Sequence, residues 1–143
     1  EYQYFHIHTI YTDTRSTSKK MEAPVKNKIS KADNNQIKHV LIEKLKGGHY
    51  LWSYNTSAIS DIPEAFLIEL VMLHLDIEDI NLLFKIFPYG HVKKAWIENV
   101  VSQGERYEML NRFLAWYYFR VKQPKRYVRS MMTRQLHKRI AGK

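Results

Sequence analysis

Eight of the ten residues from Phe66 to Leu75 are apolar; only Glu69 and His74 interrupt them. At helical spacing Phe66, Leu67, Leu70, Val71 and His74 form one stripe, while Ile68, Met72 and Leu75 fill much of the other side. A helix apolar nearly all round must be covered on several sides, so it reads as the centre of a packed array. Its start signals agree. Asp61 supplies an N-cap, Pro63 falls in the first turn where its missing N–H is not needed, and Glu64 completes a capping box.

The rest of the chain reads as the helices that do the covering. Asp33 and Gln36 have capping-box spacing, Ile37, Val40, Leu41 and Leu45 follow at helical intervals, and Gly47-Gly48 supply a stop. Tyr50, Trp52 and Tyr54 lie in an irregular aromatic stretch available to plug a core. Asp76 caps a third helix with stripe Ile80, Leu83, Phe84 and Phe87, ended by Pro88-Tyr89-Gly90. Glu78 and Asp79 suit its positive end better than they suit a metal site. A fourth runs about His91–Ser102 with Val92, Ala95, Trp96 and Val100 inward, and a fifth about Arg106–Val121. Pro124 opens a sixth, in which Val128, Met132, Leu136 and Ile140 lie four apart. Connections of a few residues favour antiparallel neighbours. The expected fold is all-α, a compact multi-helix bundle or irregular helical array over residues 33–143. Residues 1–32 are expected to be a flexible or non-native extension, rich in Ser, Thr, Lys and Asn from Thr12. Within it Glu1–Tyr11 alternates like a strand, and Met21 heads a start-like Met-Glu-Ala-Pro.

The chain has 143 residues, 45% hydrophobic, enough for a core without covalent staples. Cysteine is absent, which excludes disulfides, thiolate zinc sites and a thiol nucleophile. No basic lead followed by an apolar run marks a signal peptide, and charges break every apolar stretch, so a soluble, cytoplasmic protein is expected.

Charge is the strongest functional pointer. The net charge is +9, and the stretch from Phe119 to Lys143 holds nine Lys or Arg and no Asp or Glu. The stretch from Gly47 to Phe84 holds acids and no Lys or Arg. Arg126, Arg129, Arg134, Lys138 and Arg139 are candidate phosphate contacts. The same cations also suit a protein partner, docking on the chain's own acidic stretch Asp61–Asp79, or a solvated tail with no partner. Trp116 falls off the Leu110–Leu114–Tyr118 stripe, and with Arg112 and Arg120 nearby it suits a protein interface, where Trp and Arg are enriched.

Catalytic patterns are poor by comparison. His6 and His8 would share one side of a strand, but zinc generally takes four ligands and nothing completes the set, so no metal or cofactor is expected. His74 reads as a core-edge residue, and His91 has no evident base partner. Arg134 and His137 lie on roughly one face, a weak match to small helical nucleases. No Gly-rich phosphate loop occurs, and no nucleophile stands beside a base and an orienting acid.

Leu51-Trp52-Ser53-Tyr54, Ile68-Glu69-Leu70-Val71 with Asp79-Ile80, Val92-Lys93-Lys94-Ala95-Trp96, and Leu110-Asn111-Arg112-Phe113-Leu114-Ala115 leading to Tyr118-Phe119 and Pro124 together resemble a family of small helical proteins from Bacteroidota. Its members are often encoded beside nucleotidyltransferase-like toxin or abortive-infection genes. The resemblance spans residues 51–127, rests on packing residues and carries over no catalytic one. It implies a non-enzymatic protein-interaction module, antitoxin-like, whose partner is a toxin enzyme. The alternative is a nucleic-acid-binding protein that uses the basic final helix.

Overall fold

A computed structural model describes residues 29–52 and 62–142. The strand-like Glu1–Tyr11, the His6/His8 pair, Tyr54, the expected cap Asp61 and Lys143 lie outside the described residues. Every regular element within them is helical, with no strand. The described residues form two compact units, 29–95 and 96–142, each with its own packing.

The first unit begins at α1 (Lys31–Gly47). Its N-cap is Ser30 rather than Asp33: the Ser30 hydroxyl accepts from the Asp33 N–H at 3.2 Å and donates to the Asp33 carboxylate at 2.6 Å. Asp33 is thus a first-turn acid at the positive helix end, and Ser-x-x-Asp is the working signal. The helix stops at Gly47-Gly48 as the sequence implied. Gly48 is the C-cap, and His49, at φ 61°, takes the left-handed position. The Tyr50 N–H returns to the Leu45 carbonyl and the His49 N–H to that of Lys46, both at 3.0 Å. That is a Schellman closure. Gly48 has a different duty, since a Cβ there would strike the Tyr50 ring, which folds back to stack on His74 at 4.1 Å.

α2 (Glu64–His74) is the central helix the sequence implied. Leu67, Ile68, Leu70, Val71 and Met72 are buried, and it packs against α1, α3 (Ile77–Ile86) and α4 (Tyr89–Ala95). α3 is capped at Asp76, whose N–H donates to the Asp79 carboxylate at 3.4 Å. The same carboxylate accepts from the Lys44 ammonium at 2.6 Å. The acidic set Asp76, Glu78 and Asp79 is accordingly spent on capping and one ion pair. Pro88 marks the stop after α3 but also opens α4, because its carbonyl accepts from Val92 at 3.1 Å.

In the second unit the expected helix over 91–102 changes pitch. A π-helical turn, Trp96–Val100, and a 3-10 turn, Val101–Gln103, follow Ala95 directly. Trp96, Val100 and Val101 are all fully buried. At 3.6 residues per turn Val101 would sit far round the helix from Trp96. The i→i+5 spacing of a π turn brings both inward. Trp96 then stacks on Phe119 at 4.5 Å, and its indole N–H donates to Asn111 Oδ1 at 2.9 Å in a fully enclosed pair. A 3-10 turn, Glu105–Tyr107, leads into α5 (Glu108–Tyr117), shorter than the expected 106–121. Arg120, at φ 51°, turns the chain after it, and the Val121 N–H closes on the Ala115 carbonyl at 3.0 Å. α6 (Pro124–Ala141) starts at Pro124 as expected and packs on α5 and on the π and 3-10 turns.

Candidate functional site

The second unit carries ten Lys or Arg against three Glu, whereas residues 29–95 hold seven against eight acids. The positive charge belongs to one unit, and most of it sits on α6. Val128 and Met131 are the buried side chains of α6; Pro124, Tyr127, Met132 and Gln135 are half-buried. The four-residue series Val128, Met132, Leu136, Ile140 drifts about 40° round the helix at each step. Val128 is therefore buried, Met132 half-buried, and Leu136 and Ile140 are 55% and 64% exposed. From Thr133 to Gly142 every residue except Gln135 is exposed. The last two turns have no inward face to spend on a core, which is why their cations are distributed all round.

Three Glu cannot match these charges. Glu108 holds two of them: a single oxygen, Oε1, accepts from Arg112 at 2.5 Å and from Arg129 Nε at 3.0 Å. The two guanidinium groups hold the Glu108 carboxyl below the ordinary carboxylate range, Arg112 contributing most. Glu98 lies 3.9 Å from Lys138, a loose and exposed pair. Lys125, Arg126, Arg134 and Arg139 have no carboxylate partner among the described residues.

At the head of α6 an open cleft of about 540 Å³ is formed by Arg112, Gln123, Pro124, Lys125, Arg126 and Arg129. The first turn of α6 contains no acid, and Gln123 makes no side-chain cap. The structure so brings Arg126 and Arg129 together with Arg112 and adds Lys125, which sequence reasoning did not single out. Arg134, Lys138 and Arg139 lie further along the same helix. Trp116 and Arg120 do not line the cleft. Trp116 is half-buried beside the rings of Phe113 and Tyr117, at 6.4 and 6.1 Å, and Arg120 occupies the left-handed turn after α5.

Glu108 and Arg112 four residues apart were legible as a helix pair. Arg129 joining the same oxygen needs α5 against α6, which no local pattern encodes.

Elsewhere, His137 is exposed without a carboxylate beside it. His91, in contrast, does have a partner: its Nε2 lies 3.4 Å from Glu64, which also accepts from Lys38 at 3.2 Å. No three His, Asp or Glu side chains gather as a metal site among the described residues. No described helix is long and apolar enough to cross a membrane. Comparison with protein-family models, with curated proteins and with solved structures finds no match.

Proposed function

We propose that this protein binds nucleic acid, with α6 as the contacting element. The observation that carries the reading is the exposed distal half of α6, whose Arg134 and Arg139 have no carboxylate partner among the described residues. Cations on several sides of a helix are wasted against a flat surface. In a duplex groove they are not, because phosphates form both walls. A major groove of about 12 Å admits a helix of about 10–12 Å. Arg126 and Arg129 extend the same positive surface toward the head of the helix, and Lys138, only loosely paired, adds to it. Each phosphate neutralised releases counterions and so contributes free energy. The test is fluorescence anisotropy of a labelled DNA duplex with wild type and with Arg134→Glu/Arg139→Glu. Loss of binding in the variant, with unchanged helical circular dichroism, is expected. Undiminished binding overturns the assignment.

A second reading is favoured by Leu136 and Ile140, an exposed apolar pair one turn apart that phosphate contact does not require. It is a protein-interaction role with a partner of acidic rim and apolar centre, such as the toxin enzyme implied by the resemblance, and Arg112, Trp116 and Arg120 lie in the same unit. Co-purification with the product of a neighbouring gene, lost in Leu136→Asp/Ile140→Asp, would support this reading over the first.

A further inference from the structure

We propose that the cleft at the head of α6 is a phosphate-binding site in which Arg112, Lys125, Arg126 and Arg129 seat one phosphate group of the bound strand. The inference rests on the nucleic-acid reading for the source of the phosphate, but its geometry stands apart from it. Four cations from two helices line one cavity with no acid in its lining, and two of them, Arg112 and Arg129, pair with Glu108. Convergence of like charges is unfavourable in the empty cleft and is relieved by an anion. Glu108 receives both arginines on one oxygen, so the two guanidinium planes are fixed before any ligand arrives. Arg129 binds Glu108 through Nε, which leaves its two terminal NH2 groups for the fork-like pairing that guanidinium makes with phosphate oxygens.

Lys125 and Arg126 are exposed and lack carboxylate partners among the described residues. The volume, about 540 Å³, falls in the range of small-ligand sites, roughly 300–1,000 Å³. The uncapped first turn of α6, free of acids, adds a favourable field for the anion.

The decisive variant is Lys125→Glu/Arg126→Glu in the full chain. Both positions lie in the first turn of α6, where Glu favours the helix dipole, so folding is preserved while the cleft changes sign. Two measurements are made: displacement of a labelled DNA duplex by inorganic phosphate against chloride of equal ionic strength, and the 31P resonance of inorganic phosphate with added protein. The proposal expects phosphate to displace duplex from wild type about tenfold more effectively than matched chloride, a difference of one well-made charged contact. It expects the 31P signal to shift or broaden. Both effects vanish in Lys125→Glu/Arg126→Glu, and the 31P effect persists in Arg134→Glu/Arg139→Glu. Duplex binding with no preference for phosphate over chloride overturns the cleft and leaves the nucleic-acid reading standing. A 31P effect that depends on the cleft, without any duplex binding, supports the site and overturns that reading. A 31P effect unchanged in the cleft variant overturns the site.

Discussion

His49 at φ 61° and Arg120 at φ 51° hold backbone conformations that L residues adopt at a cost of about 1–2 kcal/mol. His49→Gly is therefore expected to raise stability by about 0.5–1 kcal/mol, read as a shift of the urea midpoint. Arg120→Val is expected to lower stability by about 1–2 kcal/mol, because a β-branched side chain fits that region worst. Arg120→Gly should not. If glycine and valine cost the same, the turn is not what makes position 120 matter. Asn111 is the other residue whose loss should be large. Asn111→Ala leaves the Trp96 indole N–H buried without an acceptor and is expected to cost about 2–3 kcal/mol in a denaturant titration. These three sites also show where single-residue signals run out. Gly47-Gly48 marked the end of α1, yet the left-handed residue is the histidine after them, because Gly48 must instead stay small beneath Tyr50.

Among the elements, α2 and α6 were the most legible, for different reasons. α2 announces itself by being apolar on nearly every side, and α6 by a proline at its first position. The segment 91–102 has the pattern of one helix, because helical periodicity cannot anticipate a π turn that buries Trp96, Val100 and Val101 together. The α5–α6 pair was only half legible. Its acid limb can be tested: the Glu108 carboxyl is lowered in the folded protein, chiefly by Arg112. The pair's stabilisation is then fully present above the ordinary carboxylate range and fades as pH falls through the lowered value. Glu108→Gln is expected to lower stability at neutral pH and to flatten that acid decline; an unchanged pH profile would show that the clamp contributes nothing. Within α6, amides from Arg134 onward should exchange with deuterium faster than those around Val128 and Met131, because the distal turns lack buried contacts.

For the whole molecule the governing fact is how charge is divided. Residues 29–95 are near balance, while residues 96–142 carry a large positive excess that three Glu do not offset. Sequence composition revealed the basic end but not which cations remain unpaired, since pairing depends on where Glu98 and Glu108 are placed by folding. The direct measurement is the affinity of the full chain for a DNA duplex across a series of salt concentrations. A linear fall of log affinity with log salt is predicted, with a slope reduced by about 1.8 in Arg134→Gln/Arg139→Gln, the equivalent of two lost phosphate contacts. An affinity independent of salt would contradict the account.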